Sequence, residues 1–131
     1  MPYVHIQISG EKDNAMAARV SEHAVELTAT LLGKERKLTA VVIEFIDPEH
    51  YWSIGGVPLV ASGPRSYHWS VSITDETNTK REKTSYLAAV HAAMDELLGG
   101  VADVSYAHVA DLRAATYGYG GRTQEFRYQA A

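Results

Sequence analysis

An internal repeat is the sequence feature that most constrains the fold of this chain. When the sequence is shifted by 65 residues against itself (residue 2 on residue 67), apolar positions, an aromatic residue and a glycine pair coincide. The coinciding pairs are Pro2 and Tyr67, Ile6 and Val71, Ile8 and Ile73, Trp52 and Tyr117, and Gly55-Gly56 and Gly120-Gly121. The pattern favours an internal duplication, and chance similarity between two units of the same type is the alternative.

The first half has the pattern of a strand, a helix and a strand. Residues 3–9 alternate apolar and polar side chains, which predicts a strand with one buried face. Asp13 or Asn14 then caps a helix that Gly33 ends, and 38–46 is rich in β-branched residues, which predicts a buried strand. The helix stripe consists of Met16, Val20, Ala24, Leu27 and Leu31. We expect the two strands to be parallel, joined by a right-handed crossover.

The second half repeats this order. A strand is predicted at 67–74, and Thr79 with Glu82 forms a capping box that begins a second helix. The stripe of that helix consists of Leu87, Val90, Met94 and Leu97, and Gly99-Gly100 ends it. A closing strand at 104–110 leads to the glycine turn at 117–121, as SIGG at 53–56 follows the first half.

Two βαβ repeats predict one α/β domain, with the repeats at 2–56 and 66–121. We expect them to form a four-stranded mixed sheet with both helices on one face. A chain of 131 residues is long enough to bury a single core of this kind.

Composition excludes several classes of function. The net charge of −4 and the lack of a basic run argue against nucleic-acid binding. The chain has no cysteine, and its six histidines do not have metal-ligand spacing, so we expect no metal site and no cofactor. No apolar run approaches 18 residues and no signal-peptide pattern is present, so we expect a soluble, cytoplasmic protein without membrane contact.

A proline at position 2 on a strand, combined with an aromatic-x-I-G-G turn at 52–56, resembles the tautomerase superfamily. Small members of that family have one βαβ unit per chain. Longer members, which include dehalogenases and a decarboxylase, have two units and associate as trimers. The resemblance covers nearly the whole chain and implies a homotrimer that needs no cofactor. It further implies that 125–129 contacts a neighbouring subunit.

Pro2 has two interpretations. In one it is a small, rigid residue that leads into the first strand. In the other Met1 is removed and Pro2 becomes a free secondary amine, which the resemblance identifies as the catalytic base. An α-amino group has a pKa of about 7.7–8.0, and burial beside cations lowers that pKa. A neutral amine could then take a proton from an enol hydroxyl or from a carbon beside a carbonyl.

Substrates of such a base are small keto and enol carboxylic acids, which need cations to bind them. Lys80 and Arg81 stand in the first turn of the second helix, where the helix dipole disfavours cations, so they are predicted to bind substrate. The alternative is a solvated helix start whose charges balance the neighbouring acids. Lys12, at the matching point of the first half, is a weaker prediction, with a plain surface role as its alternative.

Three aromatic residues complete the predicted substrate site. The resemblance places Trp52 near the proline and Tyr106 near a tyrosine that contacts substrate in the dehalogenases. Tyr117 lies in the second glycine turn, where it is predicted at the rim of the pocket or in a trimer contact. Each could instead belong to a subunit interface or a strand edge.

Departures from the family limit the reaction. An arginine of the small members falls near Val41, an aspartate of the decarboxylase falls on Lys37, and a water-activating glutamate of the dehalogenases falls on Thr116. The sequence therefore predicts a keto–enol tautomerase. The alternatives are a related hydratase, dehalogenase or decarboxylase, a Pro2 nucleophile that forms an iminium, and a non-catalytic trimeric binding protein.

Overall fold

The computed structural model describes residues 1–130. Four long strands and two long helices carry the fold, with short helices and two hairpins between them. The strands are β1 (Tyr3–Ser9), β2 (Ala40–Ile46), β3 (Ser53–Ile54), β4 (Val57–Pro58), β5 (Tyr67–Thr74), β6 (Tyr106–Leu112), β7 (Gly118–Tyr119) and β8 (Arg122–Thr123). The helices are α1 (Asn14–Leu32), α2 (Pro48–Tyr51), α3 (Lys80–Leu98) and α4 (Gln124–Ala130).

The main sheet is mixed, with the strand order β2-β1-β5-β6. β1 and β5 are antiparallel partners in its centre, with Ile6 opposite Trp69, and each has a parallel neighbour at the edge of the sheet. The start of β1 therefore lies beside the end of β5, with Tyr3 opposite Ser72. This opposed direction decides which loops can meet at each end of the sheet.

Both helices cover one face of the sheet, which confirms the predicted α/β architecture. Asp13 caps α1 and the capping box of Thr79 and Glu82 is formed at α3, as the sequence predicts. Gly33 and Gly99 end the two helices in the left-handed conformation that glycine adopts without steric cost.

A buried hydroxyl joins the two helices to the sheet. The Tyr86 hydroxyl on α3 lies 3.0 Å from Thr28 Oγ1 on α1 and accepts a 3.0 Å hydrogen bond from Trp69 Nε1 on β5. All three residues are fully buried. Tyr86 and Thr28 thus belong to a core that the aliphatic stripes alone did not predict.

Each half ends in a tight hairpin. β3 pairs with β4 around Gly55-Gly56, and β7 pairs with β8 around Gly120-Gly121. All four glycines have φ between 60° and 78°, as a two-residue hairpin turn of this kind requires.

Two predictions of local structure are wrong. The strand predicted at 38–46 begins at Ala40, because residues 36–38 form a 3₁₀ turn. It was also predicted to be buried, but β2 is a half-exposed strand at the edge of the sheet. The closing strand lies at 106–112 and not at 104–110, because Ser105 bonds back to Ala102 and Asp103 in a turn. Residues 125–129 lie within the helix α4, and their contact with a neighbouring subunit stays a prediction.

Candidate active site

Pro2 is buried at the end of the sheet where β1 and β2 begin and β5 ends. The Ala40 N–H donates a 3.3 Å hydrogen bond to the Pro2 carbonyl, which fixes the first residues of β2 against it. Because α1 runs back over the sheet, the turn at 34–37 comes to the same end. Pro2 is therefore surrounded by loops from both halves.

Tyr117 is the predicted site residue that the structure brings directly to this corner. Its hydroxyl oxygen lies 2.8 Å from the Met1 carbonyl oxygen and 2.9 Å from the Ser72 carbonyl oxygen. The single hydroxyl proton can be donated to one of these acceptors at a time. Burial raises the pKa of Tyr117, so the group is a protonated donor at neutral pH.

The hairpin that follows Tyr117 fixes its position. A Cβ on Gly118 would lie 1.8 Å from the Arg122 carbonyl oxygen, so only glycine fits there. The Gln124 N–H closes the hairpin with a 2.8 Å bond to the Tyr117 carbonyl. Tyr117 thus stands on a rigid loop between β6 and α4.

The amine at the beginning of the chain is electrostatically perturbed. Burial, followed by the charge of Lys34, lowers the pKa of the Met1 amine, and Glu35 opposes this effect. Lys34 Nζ donates a 2.9 Å hydrogen bond to Thr77 Oγ1. Burial lowers the pKa of Lys34 itself, while the carboxylates of Glu82 and Asp111 raise it.

Sequence reasoning missed Lys34 and Glu35. They belong to the charged turn KERK at 34–37, between the first helix and the second strand. The available signal was geometrical, because a parallel βαβ unit must return its helix to the end of the sheet where both strands begin. Lys34 could therefore have been placed beside Pro2 from the predicted topology.

Lys80 and Arg81 lie at the same end of the sheet as Pro2, because α3 begins shortly after β5 ends. Both residues are exposed, and among residues 1–130 neither side chain forms an ion pair. The nearest ion pair in the sequence joins Lys83 to Asp111 at 2.7 Å. Their role in binding substrate stays a prediction.

Lys12, Trp52 and Tyr106 lie at the opposite end of the sheet within one chain. Lys12 follows the end of β1, and Tyr106 is the first residue of β6, opposite His68. Trp52 lines a cavity there together with Tyr67. The structure therefore does not bring these three residues to Pro2 of the same chain, and their predicted role at that site stays untested.

The two ends of the sheet have matching arrangements of elements. Trp52 approaches the start of β5 at Tyr67, and Tyr117 approaches the start of β1 at Pro2. Each hairpin thus reaches the first strand of the other half. The same residues coincide when the sequence is shifted by 65 positions, Trp52 with Tyr117 and Pro2 with Tyr67.

Within the described residues, the structure holds no group of three or more histidines, aspartates or glutamates that could bind a metal ion. None of the helices in that part of the chain is long and apolar enough to cross a membrane.

Comparison with solved structures identifies the fold. A macrophage migration inhibitory factor-like protein from Entamoeba histolytica superposes with a TM-score of 0.75 at 12% identity, covering 93% of this chain and 97% of that protein. The protein Pt0534, inactivated by 2-oxo-3-pentynoate, gives 0.80 at 17% identity, covering 95% and 98%. The asymmetric trimer of R7 fused 4-OT gives 0.81 at 13% identity, covering 96% and 98%.

The chain has the tautomerase-like fold. The resemblance to that superfamily inferred from Pro2 and the aromatic-x-I-G-G turn is confirmed at the level of the fold. No protein-family model matches the chain, and no curated protein matches it in sequence.

Proposed function

We propose that this chain is a tautomerase that interconverts the keto and enol forms of small carboxylic acids. In this proposal Met1 is removed and the amine of Pro2 is the general base. The observation that carries the proposal is the corner that joins a buried Pro2, the adjacent Met1 amine with its lowered pKa, and the Tyr117 hydroxyl.

The reaction is a proton transfer from oxygen to carbon. The neutral amine of Pro2 accepts the proton of the enol hydroxyl, and the resulting enolate then takes that proton back at the adjacent carbon. No atom is gained or lost, and the amine returns to its neutral form. Burial and the charge of Lys34 favour the neutral form of the Met1 amine, and in this proposal they act in the same direction on the Pro2 amine one residue further on.

Tyr117 stabilises the enolate oxygen in this proposal. Its hydroxyl lies 2.8 Å from the oxygen of Met1, the residue whose removal exposes the Pro2 nitrogen. A substrate oxygen in that place would accept the same hydrogen bond. The donor is rigidly held, so little reorganisation is needed as negative charge develops.

Cations bind the substrate carboxylate. Lys80 and Arg81 are proposed for this role because α3 begins at the Pro2 end of the sheet. Lys34 is a third proposed cation, supported by its effect on the amine pKa. The side chain of Lys34 is held in place by the 2.9 Å hydrogen bond that its Nζ donates to Thr77 Oγ1.

We further propose that the protein is a homotrimer. β2 and β6 are free edges of the sheet, and the face away from the helices carries exposed side chains such as Val42 and Tyr106. Cyclic association would cover both the edges and that face. Solved structures of the same fold include symmetric and asymmetric trimers. Light scattering of the purified protein tests this, and a monomer at micromolar concentration would refute it.

The direct test follows enol-to-keto conversion of an aryl enolpyruvate by ultraviolet absorbance. Wild type and Pro2→Ala are compared, with Pro58→Ala as a control because Pro58 is exposed at the other hairpin. Mass spectrometry establishes whether Met1 is absent from all three. We expect wild type and Pro58→Ala to be active and Pro2→Ala to lose most of the activity. Equal activity of Pro2→Ala and wild type would contradict the proposal.

A chemical probe distinguishes a reactive amine from a structural proline. 2-Oxo-3-pentynoate, which inactivates Pt0534, carries an alkyne conjugated to a ketone. A neutral amine adds to the alkyne, and its proton passes to the neighbouring carbon. We expect one equivalent on the N-terminal peptide of wild type and slower labelling of that peptide in Pro2→Ala, whose N-terminus is a primary and less nucleophilic amine. Labelling of lysines in both proteins would argue against an activated amine.

A further inference from the structure

Three charged side chains converge at the Pro2 end of the sheet, on the face that the helices cover. Lys34 follows α1, and Lys83 lies on α3. Asp111 lies on β6, opposite the buried Ile73 of β5. Lys83 Nζ donates a 2.7 Å hydrogen bond to Asp111 Oδ2. Two ammonium groups and one carboxylate thus share a small region, and within the described residues the carboxylate pairs with one of them.

Lys34 is held by a neutral acceptor. Its Nζ donates to Thr77 Oγ1 at 2.9 Å, and the Thr77 hydroxyl donates in turn to the Thr74 carbonyl oxygen at 2.6 Å. Neither partner carries a charge, so these bonds fix the ammonium without neutralising it. Lys34 is partly buried, and it forms no ion pair among residues 1–130. A partly buried ammonium of this kind is stabilised by an anionic ligand.

The loop between β5 and α3 fixes this lysine through a second contact. Asn78 Nδ2 donates a 2.9 Å hydrogen bond to the Leu32 carbonyl, in the last turn of α1. The end of α1 is therefore tied to the same loop that carries Thr77. Lys34 and its acceptor keep their relative positions as a result.

Two carboxylates lie close enough to act on Lys34, and both have other partners. Burial lowers the pKa of Lys34, and the charges of Glu82 and Asp111 oppose this effect. Glu82 accepts the Thr79 N–H at 2.7 Å in the capping box of α3. Asp111 is engaged by Lys83, and the side chains of both residues are less than one-third exposed. Each carboxylate is thus bound to another donor, and the charge of Lys34 is left for a ligand.

The other acids in the neighbouring loops do not take their place. Asp75 accepts the N–H of Glu76 at 2.9 Å. Glu35 and Glu76 are exposed, and in the part of the chain that the structure describes neither forms an ion pair. Asp111 is therefore the acid that a single substitution, at Lys83, would release toward the lysine at the end of α1.

We propose that Lys83 is a positioning residue of the Pro2 site, because its ion pair keeps Asp111 away from Lys34 and leaves the Lys34 ammonium for the substrate carboxylate. Lys83 itself touches no substrate in this arrangement. The inference rests on the proposed function, in which Lys34 binds a small carboxylic acid. Without Lys83, the Asp111 carboxylate would occupy the place of the substrate carboxylate on Lys34.

The test compares wild type with Lys83→Met, Asp111→Asn and the double variant, each as the full chain. Conversion of an aryl enolpyruvate is followed at a pH above the rise of kcat/KM, where the amine is neutral in every form. We expect Lys83→Met to raise KM at least about fivefold, because a carboxylate now competes for a charged hydrogen bond, with kcat within about twofold of wild type. The double variant should return KM to within about twofold of wild type, because it releases no carboxylate.

The coupling between the two positions separates this role from the simple loss of a charge. Asp111→Asn alone should leave KM within about twofold of wild type, so the rescue in the double variant exceeds the product of the single effects. If the single effects instead multiply, Asp111 does not capture Lys34 and the proposal is overturned.

Three control variants complete the series. Lys83→Arg keeps the ion pair and should retain the wild-type KM. Lys37→Met removes an exposed cation from the turn that carries Lys34 and releases no paired acid, so its KM should also stay within about twofold of wild type. Lys83→Gln carries the same expectation as Lys83→Met and keeps the test valid if one of them fails to fold. A KM of both that equals the KM of Lys37→Met would overturn the proposal.

A second measurement does not need the enol conversion. The rate at which 2-oxo-3-pentynoate labels the N-terminal peptide is measured against pH, which gives the pKa of the Pro2 amine. A captured Lys34 lowers this pKa less, so Lys83→Met should move the labelling profile to higher pH and the double variant should move it back. These shifts in a protein that does not convert the enol would refute the proposed function and leave the link from Lys83 to Lys34 intact. Profiles that coincide in all forms would refute that link.

Discussion

Replacing Tyr117 with phenylalanine removes one hydroxyl from the Pro2 corner and leaves the aromatic ring in place. The hydroxyl donates a hydrogen bond to a neutral acceptor, the Ser72 carbonyl oxygen 2.9 Å away. In the proposed reaction it donates instead to the enolate oxygen of the substrate. A hydrogen bond to a charged group contributes about 1.5–3 kcal/mol and a neutral one about 0.5–1.5 kcal/mol. The transition state therefore loses about 1–2 kcal/mol, which lowers kcat/KM by a factor of about 5–30.

The fold should change little in this variant. Tyr117→Phe gives up one neutral hydrogen bond, which corresponds to about 1 kcal/mol in the free energy of unfolding. Tyr119→Phe is the matched control, because Tyr119 stands on the same hairpin and its ring packs against the Arg127 guanidinium at 3.7 Å. That contact involves the ring and not the hydroxyl, so Tyr119→Phe should keep kcat/KM within about twofold of wild type.

The assay is the conversion of an aryl enolpyruvate over a range of concentrations, with urea unfolding of the same preparations. If Tyr117→Phe matches Tyr119→Phe in kcat/KM while both remain folded, the hydroxyl does not act on the substrate oxygen. A loss of activity that parallels a large loss of stability would also refute the reasoning, because Tyr117 would then be structural.

Three further predictions concern the amine, the core and the hairpin. The activity requires a neutral amine, so kcat/KM rises with pH through the pKa of that amine. Because Lys34 lowers this pKa and Glu35 raises it, Lys34→Met should move the rise in kcat/KM to higher pH and Glu35→Gln should move it to lower pH. Shifts of both variants in the same direction would contradict the assigned charges. Tyr86→Phe leaves the buried Trp69 N–H without its acceptor and should lower the free energy of unfolding by about 1–3 kcal/mol, measured with urea at fixed protein concentration. A decrease below about 0.5 kcal/mol would show that the hydrogen bond contributes little. Gly118→Ala forces a Cβ into the Arg122 backbone and should lower kcat/KM at least as much as Tyr117→Phe does, since the hairpin can no longer hold its tyrosine. Unchanged activity would show that the hairpin is not needed.

Much of the fold could be predicted because its signals are local. The caps at Asp13 and Thr79 and the terminating glycines act within one helical turn, so they appear directly in the sequence. The alternation in β1 reports one buried face and one open face in the same way. A run of β-branched residues does not report how much of a strand is covered, and β2 was therefore predicted as buried although it lies at an edge of the sheet.

The site was harder to predict because it depends on strand direction. Shifting the sequence by one repeat aligns Lys12 with the start of the second helix, but it does not say at which end of the sheet each lies. Lys12 and Trp52 follow the ends of the parallel strands β1 and β2, away from Pro2, whereas the antiparallel pairing of β1 with β5 brings Tyr117 to Pro2. Lys34 was missed because its importance comes from the returning path of α1 and not from any motif.

The hydrogen bond from Tyr117 to Met1 joins positions 116 residues apart. Contacts between such distant positions form late in folding, because the chain between them must first be ordered by more local contacts. The core around Trp69 can thus be complete before the hairpin closes on the first strand. During refolding, the return of enol-converting activity should lag behind the burial of that indole. A chain whose synthesis stops before residue 117 would form much of the sheet and yet be unable to complete the Pro2 corner.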